Sequence, residues 1–393
     1  MDIKPYRPGQ QLTPAAPLDV AVAPGETLRE VLDELQMTQI ELAGRIGAST
    51  KHVNQVVKGI VPLSADVAQR LENATGVAAR LWSRLESDYR TALAHEAREN
   101  VYASTGAWIS DVPVRAFVNA GILPKKPNDP TSRVDQVLRF FGVASLDALR
   151  TVTPVAAFRK SGVFEQDDFA VAAWLRIGEL AARSITLPEY SAAGLSALLP
   201  ELRALTTDDP STALPRLAEL VASVGVALVF VPEVEGARAY GATYWINAKR
   251  PVIQLGNRGR TLDKLWETFF HELGHVLLHD RRDVFIDDED ECVAAEEREA
   301  TAFSRATLLP NVNRGVLESL ATESDVSKFA EHLDVHAGII VAELQRQGLW
   351  DYAHGRNLRR SLAPTDLPSA PPPRIPSVRP SRLQWRLPGT EDE

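Results

Sequence analysis

Between Thr27 and Arg90 apolar positions recur three and four residues apart in short bursts, over Thr27–Leu35, Gln39–Ile46, Thr50–Val57, Ser64–Asn73 and from Ala79 onward. Gly47, the stretch Gly59–Pro62 and Gly76 interrupt them, so the pattern predicts four or five short helices in a compact bundle over residues 26–92. Residues 93–215 keep a helical pattern broken at Pro124–Pro130, Pro154, Pro188, Pro200 and Pro210, and read as a helical connector without a chemical motif. From Val221 the period changes. GVALVFVP, GATYWI and PVIQL are short β-type runs, and a long helix is predicted from about Leu262 to His279. An acid-rich loop, Asp283–Glu291, then leads into two or more helices between Val293 and Leu349. The predicted fold class is mainly α, with an N-terminal helical bundle and a small α+β domain over residues 216–360. A Pro- and Ala-rich arm over 1–25 and a disordered proline-rich tail over 361–393 flank them.

With 393 residues the chain exceeds one ordinary core, which supports this division into modules. The longest apolar-rich stretch, Val221–Pro232, is too short to span a bilayer, and the start lacks a basic segment followed by an apolar one. A cytoplasmic location with no membrane partner is expected. The single cysteine, Cys292, excludes an internal disulfide and any cysteine-based zinc finger, so a metal must rest on histidines and carboxylates. A net charge of −9 excludes a uniformly basic surface but permits a locally cationic face.

The predicted long helix contains TLDKLWETFFHELGHVLLHD, with Leu265, Trp266, Phe269, Phe270, Leu273 and Leu277 at helical spacing. His271 and His275 are four apart, so both imidazoles leave one face and can reach one ion, with Glu272 beside them. With eight histidines, about 0.01 chance matches to this HExxH spacing are expected. A lone histidine on an apolar face is usually a packed core residue; the pair with its intervening glutamate argues otherwise. His279 lies about 12 Å along the axis from His271, too far to share the ion, and reads as a packing residue or a support for another ligand. A third protein ligand is needed, and Glu296, Glu297 and Glu299 are available downstream; periodicity does not choose among them.

The segments GATYWINAKRPVIQL, ETFFHELGHVLLH, RDVFID and EEREATAFSRATLLP together resemble the ImmA/IrrE family of zinc metallo-endopeptidases over about residues 216–350. The resemblance implies a zincin-like domain holding Zn2+. It places the third ligand on Glu297, the glutamate of an E-x-x-A-[N/D]-x-F-A pattern followed here by Ala300, Thr301 and Phe303. Thr301 stands where the family usually has Asn or Asp, and Ser304 where it usually has Ala. A His/His/Glu site supports peptide hydrolysis, with Glu272 as general base. No oxyanion donor is assigned; Tyr240 and Tyr244 are the aromatic candidates. Family members act on helix-turn-helix repressors, which implies a protein substrate that is a regulator, a toxin–antitoxin component or this chain itself.

In the N-terminal bundle, MTQIELAGRIGASTKHVNQVVKG gives a helix, a tight turn at Gly47 and a second helix capped by Ser49. No acidic residue occurs from Leu42 to Ala65, whereas Arg45, Lys51, His52 and Lys58 do. Were the second helix to enter a major groove, Ser49, Thr50, Lys51, His52, Asn54 and Gln55 would face base edges, and Arg45 and Lys58 phosphates. Read without that assumption, the same residues make an ordinary polar bundle surface. T-Q-x-x-L-A, the following G-x-S and L-S-x-x-x-A-x-R-L-E resemble Cro/C1-type (XRE) repressor domains, and PGETLREVLDELQMTQIELA is similar to HigA-type antitoxins, over about residues 24–90. The resemblance implies a homodimer on a double-stranded DNA operator. Two functions compete: a transcriptional regulator fused to a zinc endopeptidase that cleaves a specific protein, and an antitoxin or repressor whose peptidase-like domain is a catalytically silent sensor. Thr301 is the residue that keeps the second alive.

Overall fold

A computed structural model describes residues 22–105, 112–123, 130–152, 166–279, 285–288, 295–363 and 366–368. Most of the expected N-terminal arm, most of the acid-rich loop and nearly all of the proline-rich tail lie outside the described residues. The chain divides into two compact units, Met1–Gly106 and Ala107–Glu393.

The first unit holds five helices: α1 (Pro24–Glu34), α2 (Gln39–Ile46), α3 (Thr50–Val57), α4 (Ala65–Thr75) and α5 (Ala79–Thr105). The arm expected to reach residue 25 ends earlier, because Pro24 supplies the fixed φ and absent N–H that suit a first helical position. Gly25 packs so tightly on α3 that a Cβ there would fall 1.9 Å from the Val57 carbonyl oxygen. Thr38, Ser49 and Ser64 cap α2, α3 and α4, each side chain accepting a backbone N–H three residues on. Gly47 ends α2 at φ 64°, a left-handed conformation that costs glycine little. Leu28, Leu42, Val53, Leu71 and Trp82 form the centre of the core, and the Trp82 Nε1–H donates to the Val77 carbonyl. Helix α5 runs straight through the boundary expected at residues 92/93.

In the second unit a four-stranded sheet is made of β1 (Ala227–Phe230), β2 (Ala239–Asn247), β3 (Arg250–Leu255) and β4 (Phe285–Asp288), in the order β1-β3-β2-β4. β1 pairs parallel to β3; β2 pairs antiparallel to β3 and β4. Both faces are covered, which is why GVALVFVP is apolar throughout rather than alternating. On one face Leu228, Phe230, Ile253 and Leu255 share one core with α10 (Ala192–Ala204), α11 (Pro210–Ser223), α12 (Leu262–Leu278), α13 (Ala295–Leu308), α15 (Glu323–Leu333) and α16 (Ala337–Arg346), α11 and α12 lying against the strands and the short α14 (Arg314–Glu318) joining through Leu317. On the other, Ala227, Val229, Ala242, Tyr244 and Val252 meet α6 (Val114–Asn119), α7 (Pro130–Phe141), α8 (Leu146–Val152) and α9 (Gln166–Ser184). Much of the region read as a connector therefore packs against the sheet.

Helix α12 is the central element. It buries Leu262, Leu265, Trp266, Phe269, Phe270, Leu273 and Val276, each such aliphatic or phenyl side chain worth about 1.5–3 kcal/mol. A C-terminal strap holds its start: the Leu262 N–H donates to the Arg360 carbonyl, the Leu362 N–H to the Arg260 carbonyl, and Arg359 pairs with Asp263. Among the described residues no helix is long and apolar enough to cross a membrane.

Candidate metal centre and helix-turn-helix face

The apolar stripe of α12 turns its opposite side toward α13, and there His271, His275 and Glu297 converge. His271 Nε2 lies 3.0 Å from Glu297 Oε2 and 3.1 Å from His275 Nε2, and the His275–Glu297 separation is 3.5 Å. A tetrahedron with metal–ligand bonds of 2.0–2.1 Å has edges of about 3.3 Å. The triangle therefore already has the size of one face of such a tetrahedron, and its donor set, two imidazole nitrogens and a carboxylate oxygen, suits zinc. Among the three downstream glutamates only Glu297 reaches this point; Glu296 is exposed, and Glu299 turns to His279.

Electrostatics favour the deprotonated forms of Glu297 and His275. Burial alone would raise the Glu297 carboxyl, but hydrogen bonds from His271 and His275 outweigh it and hold the group down to about 2. Burial lowers His275 below the ordinary imidazole value of 6.5, only partly offset by Glu297.

Each imidazole is held from its far side. Thr301 Oγ1 is 3.3 Å from His271 Nδ1, so the residue that departs from Asn or Asp still offers an oxygen to that ring. His275 Nδ1 is 2.9 Å from His279 Nδ1, and His279 Nε2 is 3.4 Å from Glu299 Oε2. Ser304, the other departure, donates its hydroxyl to the Glu267 carbonyl and so ties α13 to α12. Glu272 is fully buried against β2, where Thr243 Oγ1 lies 2.7 Å from its Oε2 and 2.9 Å from its carbonyl oxygen. Gly241 lets this happen, because a Cβ there would fall 2.7 Å from Glu272 Oε1 and 2.5 Å from Thr268 Cγ2. Gly241 and Thr243 escaped sequence reasoning, since their role depends on which strand lies beside α12. The two tyrosines are occupied elsewhere. The Tyr244 hydroxyl donates to Gln254 Oε1, and the Tyr240 ring is covered by Lys264 and Arg258.

In the first unit, α3 presents Thr50 and Lys51 to solvent together with Ser49 and Lys58 at its ends, while His52, Asn54 and Gln55 are half-buried. Two of the predicted contacts carry structural duties. The Ser49 hydroxyl caps α3, and Asn54 Nδ2 donates to Gln39 Oε1 at 3.4 Å, joining α3 to the start of α2. Gln39, the glutamine of the T-Q-x-x-L-A pattern, was not among the residues expected to contact DNA. Arg45 pairs with Glu41 at 2.7 Å, but both side chains are about half exposed, so the pair is worth little and can yield to a phosphate.

Comparison with known proteins divides the chain in the same way. The profile described as IrrE N-terminal-like domain (Peptidase_M78) matches residues 226–340, and the Helix-turn-helix profile matches residues 28–82. The chain thus carries a DNA-binding-type helix-turn-helix domain and an IrrE-like peptidase-family domain. No curated protein matches it. Among solved structures, the antitoxin HigA of Pseudomonas aeruginosa, solved with the higBA promoter, is 34% identical over 23% of this chain and 91% of its own, with a TM-score of 0.19. A putative antidote protein of a plasmid maintenance system from Nostoc punctiforme is 27% identical over 22% of this chain and 94% of its own, with a TM-score of 0.21. A HigA-family addiction module antidote protein from Coxiella burnetii is 27% identical over 21% and 92%, with a TM-score of 0.20.

Proposed function

We propose that this chain, which joins a helix-turn-helix domain to an IrrE N-terminal-like domain, is a DNA-binding regulator with a zinc-dependent endopeptidase that cleaves a specific protein partner. The observation that carries the peptidase half is the triangle of His271 Nε2, His275 Nε2 and Glu297 Oε2 with buried Glu272 on the same helix. Zn2+ held by these three residues would supply Lewis acidity toward a peptide carbonyl. Glu272 takes a proton from the attacking water and passes it to the leaving amine, and Thr243 fixes the rotamer from which it does so. In the tautomers that zinc selects, His271 would donate its Nδ1–H to Thr301 Oγ1 and His275 its Nδ1–H to His279 Nδ1, leaving both Nε2 lone pairs for the ion. The Thr301 contact weighs against the silent-sensor reading, since Thr301 was the residue that motivated it. The substrate is a protein regulator or a toxin–antitoxin component, and the operator-bound form is a homodimer.

The test is metal content. Wild-type protein is expected to retain one zinc per chain through dialysis, and Glu297→Ala to retain less than about a tenth of that, because two histidines on one helix hold the ion far more weakly than three ligands. Wild-type protein that takes up no zinc after reconstitution would overturn the peptidase half.

The DNA half rests on the local cationic face of α2 and α3. Lys58→Ala is expected to weaken binding about equally for every sequence and to reduce the salt slope by about 1. Gln55→Ala is expected to cost about 1–3 kcal/mol on the preferred operator and little on unrelated DNA. Fluorescence anisotropy across a salt series separates the two, and identical behaviour of both variants on all sequences would contradict a base-reading role for α3.

A further inference from the structure

On the face of the sheet turned away from α12 lies a cavity of 360 Å³ that peptide hydrolysis does not use. About half of its lining is apolar: Phe141 from the end of α7, Leu149 and Val152 from α8, Leu175 from α9, and Tyr244 and Ile246 from β2. Three charged side chains, all from α9, break this lining. Glu179 bridges Arg176 at 2.6 Å and Arg183 at 2.7 Å. One carboxylate is thus shared between two guanidinium groups, and the cluster carries an excess of one positive charge.

The two arginines differ in freedom. Arg176 is anchored, its Nε–H donating to the Phe140 carbonyl and its side chain only 15% exposed, whereas Arg183 is 50% exposed at the rim. Val152, a large apolar residue that is 64% exposed, lines the same cavity. A chamber with an apolar side and, on its polar side, one unbalanced positive charge selects its occupant. A cation meets repulsion, a wholly apolar molecule desolvates the arginines without compensation, and a molecule with an apolar body and one anionic head satisfies both surfaces. The volume lies at the small end of small-molecule sites, which fits a ligand of roughly 10–20 non-hydrogen atoms.

We infer that this cavity between α7, α8, α9 and β2 is a binding site for a small amphipathic monoanion, such as an aryl- or alkyl-carboxylate, held by Arg183 and Arg176. Strand β2 links it to the metal-centre side of the sheet. Tyr244 and Ile246 line the cavity, while Gly241 and Thr243 of the same strand touch Glu272.

The test uses the full chain and three probes with one apolar body: phenylbutyrate, phenylbutanol and phenylbutylamine. Calorimetry is expected to show phenylbutyrate binding about tenfold or more tightly than the alcohol, and the amine not binding. Hydrogen exchange is expected to slow in α9 and β2 when phenylbutyrate is present. Arg183→Gln, at an exposed position that folding tolerates, is expected to bring the acid down to the affinity of the alcohol. Failure of phenylbutyrate to bind at millimolar concentration, equal binding of the amine, or protection confined to other segments would overturn the inference. None of these readouts needs zinc or cleavage, so the outcome stands apart from the peptidase reading.

Discussion

Glu272→Gln is expected to slow cleavage of the partner protein by about 10²–10⁴-fold while zinc content and folding stay at wild-type level. The substitution keeps the shape of the side chain, and the amide oxygen can still accept from Thr243, so the buried contact with β2 survives. What is lost is a group able to take the water proton. Glu272 lies between the two histidines in sequence but is absent from the ligand triangle, so its removal should leave metal uptake untouched. Single-turnover cleavage followed by mass spectrometry, with zinc measured on the same samples, checks both halves. Undiminished cleavage by the glutamine variant would remove Glu272 from the mechanism. Loss of zinc alongside activity would show it to be a ligand instead.

Arg359→Met is expected to cost about 3–5 kcal/mol of stability, the largest effect foreseen for a residue remote from the metal centre. Asp263 is fully buried in the first turn of α12, and Arg359 reaches its Oδ2 from Nη2 at 2.5 Å and from Nε at 3.1 Å. Hydrogen bonding to Asp263 raises the Arg359 pKa, with burial opposing, so the guanidinium keeps its charge. Methionine keeps the aliphatic stem but leaves a carboxylate out of water with its cation removed. A second substitution, Asp263→Asn, should restore part of the loss by removing the stranded charge. Urea unfolding of the single and double variants measures this, and a single-variant cost below about 1 kcal/mol would show that the strap is not needed for α12.

The two largest features of the site were legible for different reasons. HExxH is a statement about one helix, and one helix is fixed by local spacing: four residues make one turn, whatever surrounds it. The same holds for Ser49, whose capping bond reaches only three residues along the chain. Glu297 was different. Spacing left it level with Glu296 and Glu299, and family resemblance, not periodicity, singled it out. The structure brings Glu297 to the histidines and Glu299 to His279 because α13 crosses α12 at one particular angle and register. The boundary between modules was likewise less legible, since α5 continues its helical pattern past the end of the bundle core.

By itself the sequence determined the helices of the N-terminal bundle, the apolar face of α12, the pair of imidazoles on its other face and the absence of any cysteine-based alternative. All of these follow from interactions within a turn or two of chain, or from composition. Only the tertiary structure decided the rest: Glu297 as the third member of the triangle, Thr243 and Gly241 beside Glu272, Arg359 on Asp263, and a cavity on the far face of the sheet. Each of these joins residues between 20 and about 100 positions apart. Such pairings are set by how helices and strands pack, and no local period in the chain encodes that.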